Sequence, residues 1–415
     1  MSAVIAASEE VKQFINQYLE KLGVNNYTLD IVPAVNRGDN YLGYVARVEV
    51  KNADGDVLYN WIVKSAPDNL IIRATTPIHK MYEREITMYT NVFPAFIKLQ
   101  EDNEVTNHFK SFPKYYTSST VSPHECIVME DMKKLGYELK SRQEALNFGH
   151  LRLVMKEYGR LHALSFVLRD QRPEEFQKLS ESLEDVTVNE PTIEYMIQKE
   201  LNTCKKALAS LDPVVNKTLY DKFQNVIPNL KNDVVNLVKS SACEKTSVFN
   251  HGDCWNNNYL FKYENQESSL PSDVCFLDWQ VSRCGSPVFD LSYFLFTCTN
   301  KEIREEYYEK LIAVYYESLT FFMRRCGSDA EIMFPFRVLQ EHFKKYSLFG
   351  LYVAIQFLGV ILKDPNDVPE DILTLTNLED ALEKFLFLNE HNEEYTVAIK
   401  DVLLDFDKYG YNFNI

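Results

Sequence analysis

The segment His251-Gly252-Asp253-Cys254-Trp255-Asn256-Asn257-Asn258 sets an aspartate and an asparagine five positions apart, and Asp278 follows twenty residues later at the end of the apolar run Val274-Cys275-Phe276-Leu277. These residue types in this order suit phosphoryl transfer. That reaction needs a carboxylate facing the attacking hydroxyl, and metal ligands that hold Mg²⁺ on the phosphates while charge builds on the transferring group. Asp253 is the candidate catalytic carboxylate; Asn258 and Asp278 are the candidate metal ligands. A bare His-x-Asp says little, because such pairs more often hold structure. The Asp-to-Asn step, the apolar Ser247-Val248-Phe249 before His251 and a second apolar strand ending in Asp278 raise the pattern above that level.

Such a site needs a β-rich N-terminal lobe with a Lys on a strand and a Glu on the next helix. Asn60-Trp61-Ile62-Val63-Lys64 is a β-favouring run that ends in a lysine, placed to hold the α- and β-phosphates. In the next segment Tyr82, Ile86 and Tyr89 recur at helical spacing, and Glu85 is chosen to pair Lys64, with Glu83 the alternative. Upstream, Asn36-Arg37-Gly38-Asp39-Asn40-Tyr41-Leu42-Gly43-Tyr44 leads into a strand, and Gly38 and Asn40 are read as part of a loop that covers ATP with backbone N–H groups. A plain hairpin turn explains its glycines as well.

With these residues in place, the chain resembles the ecdysteroid kinase-like family, a branch of the kinase-like small-molecule phosphotransferases that also includes choline and aminoglycoside kinases. The likeness rests on Gly38-Asp39-Asn40-Tyr41, the Lys64 strand, Glu85-Ile86-Thr87-Met88-Tyr89, Phe112-Pro113-Lys114-Tyr115-Tyr116 and Met129-Glu130-Asp131-Met132 with Gly136-Tyr137. It continues through Leu161-His162-Ala163-Leu164-Ser165, the His251 to Asn258 loop, Asp278-Trp279-Gln280, Gly285-Ser286-Pro287 and Asp290-Leu291-Ser292. Trp279 stands where the family more often has Phe, and Asn256 where it has Ser. The resemblance implies an α+β, bilobal, protein-kinase-like fold and ATP- and Mg²⁺-dependent phosphorylation of an alcohol. Asp253 would accept the hydroxyl proton, and the adenine would meet the connector at Glu130 and Met132 with Met129 behind it. The acceptor implied is an ecdysteroid or another lipophilic alcohol. A choline-type or xenobiotic acceptor, or a silent ligand-binding protein, are the alternatives. Gly252 replaces the Arg that answers an activation-loop phosphate in protein kinases, and only eleven residues separate Asp278 from Asp290. No peptide platform fits there, so a small molecule is expected.

The surrounding elements read as follows. An amphipathic helix over 8–22, closed by Gly23, opens the chain, and strands at Tyr27 to Val32, Tyr41 to Val50, Val57 to Ser65, Lys114 to Tyr116 and Glu125 to Glu130 make a five-stranded antiparallel N-lobe. The N-lobe is taken as 1–132 and a larger, mostly helical C-lobe as 133–415, with a charged helical insertion at about 171–245. In the C-lobe His162 is read as structural, His251 as a brace for its loop, and Asp290 as an anchor for the loop backbone. The aromatic series from Tyr293 to Phe322 is read mainly as core, with an aromatic-lined acceptor cleft as the functional alternative.

Composition agrees with a folded globular chain of two lobes: 415 residues, 46% apolar and 13% aromatic. A net charge of −16 with no basic stripe argues against nucleic acid or an anionic membrane as partner, and no obligate protein partner is expected. Eight cysteines without a Cys-x-x-Cys pair, and an N-terminus without a basic region, point to a cytoplasmic protein with free thiols. Cys254 is read as a small packing residue. Tyr346 to Leu362 carries no charge over seventeen residues, and is taken as a buried helix rather than a membrane span.

Overall fold

The computed structural model describes residues 7–34, 43–141, 146–183, 194–242, 244–265, 268–364 and 393–413. The N-terminal part is an antiparallel sheet of five strands, β1 (Thr28–Pro33), β2 (Tyr44–Lys51), β3 (Val57–Ser65), β4 (Tyr115–Ser119) and β5 (Cys126–Glu130), in the order β1-β2-β3-β5-β4. Between β2 and β3 the chain turns on Asn52, whose side-chain oxygen accepts the backbone N–H of Asp54 at 3.0 Å and of Asp56 at 2.8 Å.

Alternation along these strands decides which residues reach the site. Val48, Val50, Trp61, Val63, Cys126 and Val128 face the helix Glu9–Lys21 and pack on its Val11, Ile15 and Leu19. Each large apolar side chain buried there contributes about 1.5–3 kcal/mol. Because side chains alternate faces in a strand, Val45, Arg47, Ile62, Lys64 and Met129 fall on the opposite face, where they line a cleft.

The C-terminal part is helical around Phe148–Gln171, whose central turns are wholly buried. Lys301–Arg325 packs along it, closely enough that a Cβ on Gly159 would stand 2.6 Å from the Tyr315 carbonyl. All ten residues of Val288–Thr297 are buried, and this helix lies on Phe336–Ile361. The latter contains the uncharged stretch singled out above, and it is a core helix. Among the described residues no helix is long and apolar enough to cross a membrane. The charged segment before the loop forms helices Pro173–Glu181, Glu194–Ala209, Lys217–Val226 and Leu230–Ala242.

Short strands frame the candidate loop: β6 (Tyr137–Leu139), β7 (Val248–Asn250), β8 (Tyr259–Lys262), β9 (Asp273–Phe276) and β10 (Arg283–Gly285). β7 pairs β10, while β6, β8 and β9 form a second small sheet. Of these, sequence reading anticipates only β7 and β9. Three or four residues are too few to show a period of two. The helices Leu70–Thr75 and Phe93–Asp102 were likewise not anticipated. The fold is thus α+β, an antiparallel five-stranded sheet with its helix followed by a larger, mostly helical part.

Candidate active site

Lys64, on β3, meets Glu85, on the helix Ile78–Thr87, at 2.6 Å and Asp278 at 2.6 Å, with the Gln280 side-chain oxygen at 3.3 Å. Glu85 is therefore the partner, while Glu83 is exposed beside His79. Burial works against the Lys64 charge, but the carboxylates of Asp278 and Glu85 outweigh it and raise the ammonium's pKa. Asp278 has φ +63°, a conformation few side chains adopt outside constrained sites. Gln280 donates to its second oxygen at 3.1 Å, and Glu85 accepts the Trp279 backbone N–H at 3.4 Å. Trp279 itself is buried and donates its indole N–H to Phe276 at 3.3 Å, so the Trp-for-Phe difference is absorbed by packing.

The loop that carries Asp253 hangs from one buried carboxylate. Asp290 accepts the backbone N–H of His251 at 2.7 Å and of Gly252 at 2.9 Å, and the Cys254 thiol at 3.3 Å. His162, from Phe148–Gln171, bridges Asp290 at 3.2 Å and Tyr315 at 3.0 Å. Burial opposes the charge on Asp290, yet the His162 bond and the Gly252 N–H prevail and hold its pKa below the usual carboxylate value. Gly252 has φ +89°, and a Cβ there would lie 2.3 Å from the Val281 carbonyl. Only glycine fits. Burial lowers the His251 pKa and favours the neutral ring. Its Nδ1 accepts the Asp253 N–H at 3.2 Å, which puts the ring proton on Nε2, facing the Leu277 carbonyl at 2.8 Å. One neutral ring thus ties the Asp253 loop to the segment that delivers Asp278.

Asp253 has a donor on each carboxylate oxygen: Tyr293 O–H at 2.9 Å and the Asn258 amide at 2.9 Å. Burial, then the nearby Asp278 carboxylate, push its pKa up to about 6. Asn258 also donates to the Asp253 carbonyl at 2.9 Å. With its nitrogen committed, the amide oxygen is what remains for a cation.

A cleft of about 150 Å³ runs between the two lobes. Lys64, Glu85, Asn258 and Asp278 line it together with Met129, Glu130 and Met132 from the connector, and with apolar Val45, Ile62, Leu260 and Leu277. Arg47 meets Asp131 at 2.5 Å, and Asp131 also caps the turn Met132–Leu135 through the Lys133 N–H at 3.0 Å. Gly38 and Asn40 lie outside the described residues. Sequence reasoning missed Tyr293 as a partner of Asp253, since nothing linear links positions forty residues apart. It also missed Gln280, though its place two residues after Asp278 was a usable signal. Tyr293, Phe294, Phe296, Tyr308, Tyr315 and Phe322 are buried in the core; of these, Tyr293 turns its hydroxyl to Asp253.

A family model described as the ecdysteroid kinase-like family matches residues 37–328. Among solved structures, the GDP complex of a mutant aminoglycoside 2′-phosphotransferase-IIIa aligns over 96% of this chain and 99% of its own, at 12% identity and a TM-score of 0.42. No curated protein matches the sequence.

Proposed function

Because the chain belongs to the ecdysteroid kinase-like family, whose model covers residues 37–328, we propose that it is an ATP- and Mg²⁺-dependent kinase that phosphorylates a hydroxyl of an ecdysteroid or similar lipophilic alcohol. The observation that carries this reading is convergence. Lys64, paired to Glu85, shares one cleft with Asn258 and Asp278, and Asn258 in turn holds the Asp253 carboxylate.

The residues fit a magnesium ion by donor chemistry. The Asn258 amide oxygen and the Asp278 carboxylate are hard oxygen ligands, and Mg²⁺ takes one or two such groups alongside waters and phosphate oxygens. When bound, the ion neutralises charge that develops on the phosphates. In the structure Lys64 spans Glu85 and Asp278. Exchange of the Asp278 contact for a phosphate keeps the Glu85 anchor and releases Asp278 for its ligand role. Met129, Glu130 and Met132 hold the adenine.

Asp253 orients the acceptor hydroxyl and takes its proton. Each of its oxygens already accepts one donor, which leaves a lone pair for the incoming O–H. Its raised pKa brings its basicity nearer to neutral pH, where a general base works best. We place the lobe boundary near residue 132 and the reaction in the cytoplasm, where the seven described cysteines, all free thiols, are at home.

The test is ADP release by the purified chain with Mg-ATP across ecdysone, 20-hydroxyecdysone, other sterols, plant phenolics and glycosides, choline and ethanolamine. Turnover lost in Asp253→Asn establishes the activity and names the acceptor class. Absence of both turnover and any Mg-ATP-dependent thermal shift refutes it.

A further inference from the structure

Asn257 has no assigned role, and its situation calls for one. The residue is 7% exposed, its side-chain nitrogen and oxygen are both buried without a hydrogen-bond partner, and it lines the cleft beside Asn258. The flanking asparagines differ. Asn258 is committed to Asp253, and Asn256, whose oxygen is also unpartnered, does not line the cleft. An amide with every donor and acceptor empty destabilises the protein that buries it, and such groups in folded chains demand a reason.

What would satisfy this amide must both donate and accept, since a carboxamide offers two donors and one acceptor. The same cleft is lined both by the connector residues Met129, Glu130 and Met132 and by Lys64 with Asp278. On the nucleotide reading above, on which this inference rests, the base meets the first and the phosphates the second. The group that joins them is the sugar, whose vicinal hydroxyls donate and accept. A cleft of 150 Å³ is smaller than the roughly 300 Å³ at which small-molecule sites begin, so a nucleotide must widen it, and widening uncovers groups now sealed in its wall. We propose that Asn257 binds the ribose hydroxyls of the nucleotide, and that the protein thereby selects ribonucleoside over deoxyribonucleoside triphosphates.

The experiment measures equilibrium binding of Mg-ATP, 2′-deoxy-ATP and 3′-deoxy-ATP to the full chain and to Asn257→Leu and Asn257→Ser, together with melting of the nucleotide-free proteins. Wild type is expected to bind at least one deoxy analogue about threefold to tenfold more weakly than ATP, the span of one neutral hydrogen bond. That ratio falls to about one in both variants. Asn257→Leu, which replaces the unpartnered amide with an apolar group of the same branched shape, melts at or above the wild-type temperature. Asn257→Ser keeps the test open if the leucine variant does not fold. Equal wild-type affinity for all three nucleotides, or an unchanged ratio in the variants, overturns the ribose assignment and leaves the kinase reading standing. A wild-type chain that binds none of them refutes the nucleotide reading and this inference together.

Discussion

Asp290→Asn changes one atom's chemistry and almost no volume, and it tests whether a single carboxylate holds the loop. In the wild type one oxygen accepts Gly252 N–H and the Cys254 thiol, and the other accepts His251 N–H and faces His162. An asparagine must place its NH₂ at one of these positions. Toward Gly252 it opposes a backbone donor. Toward His251 it does the same, and a tautomer change relieves only the His162 side. Either way one buried backbone N–H loses its acceptor, and the bonds that remain run to a neutral group. A bond to a charged partner contributes about 1.5–3 kcal/mol and a stranded buried donor costs about 1–3 kcal/mol, so the expected destabilisation is about 3 kcal/mol. Urea unfolding at pH 7.5 reads this as a lower midpoint at unchanged m-value. The pH dependence carries a sign. The Asp290 pKa is depressed in the folded chain, so its stabilisation is present above the unfolded value of about 3.9 and is lost as pH falls through the folded value. The gap between wild type and variant should hold from pH 8 to about 5 and close only below about 4. A stability change under about 1 kcal/mol, or a gap that closes near neutrality, refutes the account of the loop.

Gly252→Ala forces a Cβ to 2.3 Å from the Val281 carbonyl at φ +89°; a loss of about 2 kcal/mol or more in thermal or urea melts, with turnover down at least about tenfold, is expected. Asp253→Asn should abolish transfer and stabilise the nucleotide-free protein at pH 7. Because the folded pKa of Asp253 is raised to about 6 from 3.8, wild-type stability falls as pH rises between those values, and the variant escapes that fall. Melting curves from pH 4 to 8 would show the difference opening in that window, and parallel curves would contradict it. Tyr293→Phe deletes one donor to Asp253 without touching the cleft wall. It should lower kcat by about threefold to tenfold with KM for ATP unchanged, and a KM effect alone would count against its positioning role.

Much of this was legible in linear order because the motifs are local. Asp253 and Asn258 are five residues apart on one turn, and that spacing survives folding because the intervening chain is a tight loop and a short 3₁₀ turn. Lys64 could be read from the alternation of β3, which separates Trp61 and Val63 from Ile62 and Lys64. The five strands were visible for the same reason, though Tyr41 and Leu42, assigned to the second, lie outside the described residues. Beyond local order, the reading relied on resemblance.

What sequence alone determined about this protein is the set of reactive residue types, their local spacing and the periodic elements that bear them, since propensity and period act over a few residues. Tertiary structure decided the partners. That Lys64 is shared between Glu85 and Asp278, that Tyr293 caps Asp253, and that Asp290 gathers two backbone N–H groups are contacts across 214, 40 and 38–39 positions. No period or propensity encodes such pairs. They arise when burial brings distant polar groups together and the cost of leaving any of them unpaired selects the arrangement that satisfies most.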